Sequence, residues 1–445
     1  MKGIRALAFA ALLVATHGCA DRTLPPRAEL VVYVDTDAPL ALPSGDVDAP
    51  ATPAPLFDRL RIEILQPDGS SACDGCGRDF TVFRGQLGDS GPAFGILAPP
   101  GRTDLRVRAR LFRGTSGGEP RAASTIDRIV TLPPLGDDGL VEVTVSLPLD
   151  AVGSGPNPPE PPIPARSGRP SPSQLYPGVV PTGCMTPSMP GEICVPGGAF
   201  WMSDPDILTL SVAPEQRLER AVLVAPHWID AREVTVAELR DSGLATSTEP
   251  LRRVSTDGCT YTDRPGDTDS LPVTCIEWST AAAYCAAKGG RLPTEAELER
   301  LLGGLRSRRH PWGDDEPRCE DAVFARQDPA SADPTEALAV TTCAGLGLGP
   351  AAAGAGLRDR LVLEGATIYD LAGNVYEWSA DAYQDLGRSC WPTGLLDNPR
   401  CTKGSGHTIR GSSWVGISTS SRSTYRVGAA NGGRGIGFRC ARDGR

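Results

Sequence analysis

Carboxylates, cysteines and histidines are the side chains here that could do chemistry, and their spacing narrows what that chemistry is. Asp370 and Glu377 stand seven residues apart around Ala372-Gly373-Asn374. A turn at that place aims two carboxylates and several carbonyls at one point, an all-oxygen set that suits a hard cation such as calcium. Plain turn and surface roles for these residues are the alternative. The thirteen cysteines are an odd number, and setting Cys19 aside leaves twelve. Ten of these can fall as local pairs: Cys73 with Cys76, Cys184 with Cys194, Cys259 with Cys275, Cys319 with Cys343, and Cys390 with Cys401. Cys285 and Cys440 are left over. Such a set is the disulfide framework of an oxidising compartment. Cys73-Asp74-Gly75-Cys76 has a competing reading, because a C-x-x-C pair can hold zinc or exchange disulfides. The four histidines, His17, His227, His310 and His407, are far apart, so packed or surface imidazoles are expected rather than metal ligands. No G-x-S-x-G string marks a nucleophilic serine.

The elements that must carry these residues begin with an export signal over 1–18. Lys2 and Arg5 flank a short apolar run, Ala6 to Ala15, which cannot span a bilayer. It ends in Thr16-His17-Gly18-Cys19, similar to a bacterial lipoprotein cleavage site although Thr16 and His17 depart from the usual pattern. Cys19 is therefore expected to be lipidated and 19–27 to be a tether. Several acyl chains on one residue anchor stably where a single chain does not. The expected location is the bacterial cell envelope, as an exported, membrane-anchored lipoprotein; simple secretion with Cys19 removed stays open. Net charge is −10 with no basic cluster, so nothing would neutralise phosphates and nucleic acid is excluded as a partner.

Residues 28–150 carry strand patterns. The stretches 28–35 (AELVVYVD) and 57–65 (FDRLRIEIL) alternate in part, and 102–112 (RTDLRVRARLF) and 139–147 (GLVEVTVSL) almost fully. About seven strands of this kind predict a β-sandwich similar to immunoglobulin-like or carbohydrate-binding modules. Arg106, Arg108 and Arg110 then form a solvated face, with Leu105, Val107 and Ala109 toward the core. Residues 151–181 turn to Pro, Gly and Ser and predict an extended, semi-rigid linker that separates the sandwich from a C-terminal domain over 182–445.

In 182–445, Ser279 to Lys288 predicts a helix with Ala281, Ala282 and Cys285 on one face, stopped by Gly289-Gly290. Thr235 is a helix cap, and Thr294 with Glu297 fits a capping box. With 51 glycines and 42 prolines, much irregular backbone is expected.

Three strings in 182–445 resemble, in order, the formylglycine-generating enzyme (sulfatase-modifying factor) family: 271–300 (LPVTCIEWSTAAAYCAAKGGRLPTEAELER), 368–378 (IYDLAGNVYEW) and 435–442 (GIGFRCAR). The strings 194–202 (CVPGGAFWM), 227–236 (HWIDAREVTV), Pro311-Trp312-Gly313 and Arg410-Gly411-Ser412-Ser413-Trp414 extend the resemblance over 182–445. It implies an α+β, C-type-lectin-like fold with low regular secondary structure. It also implies that Cys285 pairs with Cys440, tying an early helix to the last strand. For calcium it implies the side chains of Asn374 and Glu377 and the carbonyls of Gly373 and Val375, with Asp370 able to add a second carboxylate. A second calcium site would match Asp321 and the carbonyl of Ala322, with Asp359 the one distal carboxylate on offer.

The family's enzymes hold Cu(I) between two cysteines, five residues apart, shortly before the GFRC string. Here 417–427 reads ISTSSRSTYRV, which puts Ile417 and Arg422 at those positions, and no cysteine stands between Cys401 and Cys440. Neither side chain can ligate copper or exchange a disulfide. No catalytic residue, no copper and no formylglycine generation are expected. The expected role is a non-catalytic binding or envelope-interaction module for a protein or carbohydrate ligand. An enzyme of the family with a different chemistry, and a purely structural envelope role, are the alternatives.

Overall fold

The computed structural model describes residues 29–43, 52–88, 93–96, 104–114, 118–134, 140–156, 163–171, 174–203, 218–244, 259–328 and 343–445. The expected signal, Cys19 and its tether lie outside the described residues.

The N-terminal part contains β1 (Glu29–Asp35), β2 (Arg59–Leu65), β3 (Gly77–Thr81), β4 (Phe94–Ile96), β5 (Arg106–Phe112), β6 (Thr125–Thr131), β7 (Leu140–Ser146), β8 (Ile163–Pro164) and β9 (Arg166–Ser167). They form two sheets, in the orders β4-β1-β7-β9 and β3-β2-β5-β6-β8. β1 and β7 run parallel, from Glu29 opposite Leu140 to Asp35 opposite Ser146. Alternation decides which face is buried. Val107, Ala109 and Leu111 are fully buried, and with Leu30, Val32, Val143 and Val145 of the other sheet they form one apolar cluster. The intervening arginines point outward and pair: Arg108 with Asp127 at 2.6 Å, and Arg110 with Glu63.

The described residues of 151–181 do not form the separating linker that the composition predicts. Val152 and Val179 are fully buried. β8 and β9 are the outermost strands of the two sheets, pairing with β6 and β7. An edge strand needs hydrogen bonds on one side only, so a Pro-rich run can serve there. The two halves also share a core. Ala199, Trp201, Ala221 and Leu223 of the C-terminal half belong to the same apolar cluster as the two sheets. The Trp201 indole donates to the Leu56 carbonyl at 2.7 Å and meets the Phe57 ring edge-on at 5.5 Å.

The C-terminal half has short, scattered elements: β10 (Glu192–Val195), β11 (Gly198–Met202), β12 (Arg220–Val224), β13 (His227–Asp230), α1 (Val236–Asp241), α2 (Trp278–Ala287) and α3 (Glu295–Leu302). After them come β14 (Arg360–Leu363), β15 (Ala366–Tyr369), β16 (Tyr376–Ala382), β17 (Leu395–Asp397), β18 (His407–Arg410), β19 (Arg426–Ala429), β20 (Ile436–Gly437) and β21 (Ala441–Asp443). Its largest sheet is β19-β18-β16-β20. Thr235 and Thr294 both close capping boxes, with Glu238 and Glu297. Each pair satisfies two N–H groups that a helix start leaves bare. Among the described residues six disulfides are present: Cys73–Cys76, Cys184–Cys194, Cys259–Cys275, Cys285–Cys440, Cys319–Cys343 and Cys390–Cys401. Cys73 and Cys76 are thus bonded to each other, which removes the zinc and free-thiol readings of that pair.

Candidate functional site

β16 and β18, side by side, position the expected calcium loop and the segment 417–427 where the resemblance finds no cysteines. Arg410 of β18 is fully buried and its Nη2 reaches Glu295 at 2.8 Å and also Glu299, both on α3. Arg426 of β19 reaches Glu295 at 2.6 Å. Burial would push these acids up, but the guanidiniums of Arg426 and Arg410 hold Glu295 below the usual range. This buried ionic lattice fixes the backbone on both sides of 411–425. Gly411 has φ +78°, and a Cβ there would come within 2.8 Å of the Leu371 carbonyl, so only glycine fits.

Between those anchors, Ser418–Ser421 form a single 3-10 turn. Ile417, before the turn, is 39% exposed. Arg422, just after it, donates to Glu316 at 2.8 Å. Hydroxyls occupy the interior behind them. Ser412 and Ser420 are 2.6 Å apart, and the Tyr376 hydroxyl bonds to both and to Tyr425. Burial first, then Tyr425, pushes the Tyr376 hydroxyl well above its ordinary value, so it stays protonated. Aliphatic hydroxyls and a neutral phenol provide no soft ligand for copper. His310 stacks on Trp312 at 4.6 Å and bonds the Ser421 carbonyl through Nδ1 at 3.0 Å. His407 stacks on Trp278 at 3.7 Å, and His227 bonds the Ala225 carbonyl at 3.1 Å. Burial lowers the pKa of all three, so they are neutral packing groups.

The expected calcium loop lies at the start of β16. Glu377 is held in a buried fork by Arg439, whose Nη2 and Nε lie 2.6 and 2.8 Å from Oε1. Asn374 commits both amide atoms to the Ala351 peptide, accepting at 2.9 Å and donating at 3.1 Å. Asp370 accepts from the Gly354 N–H at 2.7 Å through Oδ2, while its buried Oδ1 has no partner. Gly373 leaves no room for a side chain, since a Cβ would meet the Val323 nitrogen at 2.8 Å. Asp359 accepts from the Leu371 and Ala372 N–H groups at 3.0 and 2.7 Å, and its Oδ2 is unpartnered. The Asp321 carbonyl accepts from the Asp359 N–H at 3.0 Å while its carboxylate caps the Arg318 N–H at 2.9 Å, and Ala322 is fully buried.

The sequence did not reveal that Glu233 and Asp359 join Asp370 and Glu377 in one buried acidic cluster facing Arg439. Burial, reinforced by the Asp370 charge, lifts Asp359 to about 8 and Glu233 well above the carboxylate range. Burial lifts Asp370 to about 6. Among the described residues no three His, Cys, Asp or Glu side chains converge closely enough to hold a metal by themselves. An ion here would need backbone carbonyls to complete its shell.

A profile for the sulfatase-modifying factor enzyme 1-like domain matches residues 177–444. The mouse protein named inactive C-alpha-formylglycine-generating enzyme 2 is 30% identical over 188 residues, which cover 38% of this chain and 49% of that relative. The formylglycine-generating enzyme of Thermomonospora curvata is 31% identical over 201 residues, 42% of this chain and 59% of the relative. This chain therefore spans about half the length of these relatives. Among solved structures, PvdO from Pseudomonas aeruginosa is 24% identical with a TM-score of 0.41, over 57% of this chain and 94% of that one. The profile covers more than half of the chain and includes the strands and loops described above; the chain belongs to the sulfatase-modifying factor enzyme 1-like domain family.

Proposed function

We propose that this chain is an exported, Cys19-lipidated protein whose C-terminal domain is a non-catalytic binding module for an envelope protein or carbohydrate. One observation supports the reading: no cysteine stands between Cys401 and Cys440, the resemblance matches Ile417 and Arg422 to the family's copper-binding cysteines, and Arg422 is turned to Glu316 at 2.8 Å. A relative named inactive supports it, since the family domain persists there under a non-catalytic description. The strongly shifted acids Asp359 and Asp370 are 0% and 1% exposed, too deeply enclosed to meet a substrate, which speaks against an unrecognised enzyme. On this reading the two-sheet N-terminal part is an immunoglobulin-like sandwich that holds the binding domain away from the membrane. Loops on a disulfide-braced frame can keep a recognition role after a catalytic pair is lost.

Calcium belongs to the proposal as a structural ion. The residues suit a hard cation through Asp370, which offers a buried, unpartnered carboxylate oxygen with the Gly373 and Val375 carbonyls nearby in sequence. Asn374 and Glu377 would have to turn from Ala351 and Arg439 to join it. Bound calcium would add positive charge to an acidic cluster that Arg439 faces, with Arg360 and Arg326 acting on Asp370. Binding to the folded state adds roughly 2.7 kcal/mol at a hundredfold excess over the dissociation constant.

Two measurements on the purified full chain test the reading. With Cu(I) and a Cys-x-Pro-x-Arg peptide, no aldehyde forms above a control without protein; aldehyde formation would overturn the non-catalytic assignment. Chelator lowers the melting temperature of the parent and changes Glu377→Gln less; if it shifts neither, calcium is not part of this loop.

A further inference from the structure

Arg300 of α3 is a buried cation with no carboxylate beside it. It is 2% exposed, and its guanidinium donates to the carbonyls of Pro196 and, at 3.1 Å, Gly197. Its Nε has no partner. Gly198 makes the room, because a Cβ there would meet Nη2 at 2.9 Å. Glu299, the preceding residue, is turned to Arg410 and does not neutralise it. Burial first, then the charge of Arg306, pulls the Arg300 guanidinium down to about 10. Carbonyl dipoles satisfy its hydrogens but leave its charge uncompensated, and a buried charge without a counter-charge is costly.

The turn after α3 brings two further arginines to the same place. Gly304, Leu305 and Ser307 all take left-handed backbone conformations, at φ +59°, +65° and +55°. Two of these are not glycine, and such strain persists only where the surroundings enforce it. Ser307 is pinned by its Oγ, which accepts from the Trp201 N–H at 2.8 Å. The turn thereby sets Arg306 and Arg308 beside Arg300 in the wall of a cavity of about 180 Å³. The cavity lies at the seam of the two halves, with Ala54 on one side and Val179 and Leu363 on the other. No acidic residue lines it among the described residues.

We propose that this cavity is a binding site for a small oxyanion, a carboxylate or phosphate group, which supplies the counter-charge that Arg300 lacks. A guanidinium offers paired N–H donors in a plane, the geometry that carboxylate and phosphate oxygens accept. The volume admits a small group rather than a large ligand. None of the lining residues comes from 417–426, so the site is separate from that segment.

The test is titration of the full chain with sodium butyrate and with inorganic phosphate, against sodium chloride at equal ionic strength, read by calorimetry and thermal melting. At least one oxyanion should raise the melting temperature in a saturable way while chloride does not. Butyrate acting alone identifies a carboxylate site and phosphate acting alone a phosphate site. Arg300→Met keeps the aliphatic stem and removes the charge, and should weaken binding by roughly 30-fold or more. Arg306→Gln, at the cavity wall, should weaken it less, and it carries the test if Arg300→Met does not fold. A response no larger than that to chloride, or one unchanged in the folded variants, overturns the proposal.

Discussion

Arg439 and Glu377 face each other at 2.6 Å, with their side chains 0% and 4% exposed. The same guanidinium also opposes the rise that burial imposes on Glu233, Asp359 and Asp370, so a single residue of the GFRC string acts on four carboxylates.

Arg439→Met should therefore destabilise the protein by about 3–5 kcal/mol, because it leaves Glu377 buried without its partner. Urea denaturation in chelator measures this. The double variant Arg439→Met/Glu377→Gln should lose less than the two single losses added together, since the second change removes the stranded charge. Strict additivity would show that the two residues are not energetically coupled.

Stability should fall as pH rises from about 6.5 to above 8. Asp359 has its folded pKa raised from 3.8 to about 8, so its contribution is fully present below the unfolded value and is lost as pH climbs through the folded one. Asp381, raised by burial and then by Glu295 to about 7, acts in the same direction. Below 6.5 the buried histidines His227 and His310 oppose this trend, because the unfolded chain takes up protons that the folded one refuses. One proton changes the slope by at most roughly 1.4 kcal/mol per pH unit. Asp359→Asn keeps an oxygen for the Leu371 and Ala372 N–H groups and cannot ionise, so it should flatten the profile over this window. Melting curves in chelator across the pH range provide the check.

Removing the Cys285–Cys440 disulfide should cost roughly 4–5 kcal/mol on the loop-entropy view, more than removing a local bridge. This bond closes 155 residues of chain, whereas Cys184–Cys194 closes 10. The paired serine variants, compared by melting temperature, test the ranking. Alkylation of the unreduced native protein and then mass spectrometry should find none of these twelve cysteines labelled.

What the sequence made legible was local. The alternation in 106–112 placed Val107 and Ala109 inward and the arginines outward because a strand has period two. Thr294 and Glu297 announced the start of α3 because a capping box spans four residues. The acidic cluster was legible only in part: the 370–377 loop supplies Asp370 and Glu377, whereas Glu233 and Asp359 come from two other stretches that tertiary packing alone brings to it. Composition misjudged 151–181 for a related reason. β8 and β9 are two exposed residues each, too short to carry a period, and their pairing is decided by the sheets they join.

The Trp201 contact with Leu56 and Phe57 has a mechanical meaning. A fragment starting near Thr182 would bring Ala199, Trp201, Ala221 and Leu223 into water, so the family domain of this chain is not a detachable bead on a string. The N-terminal sheets serve as its floor, and a pull on the amino end is delivered as load on a shared wall. The orientation of the C-terminal loops is then set by the whole body rather than by the swing of a tether.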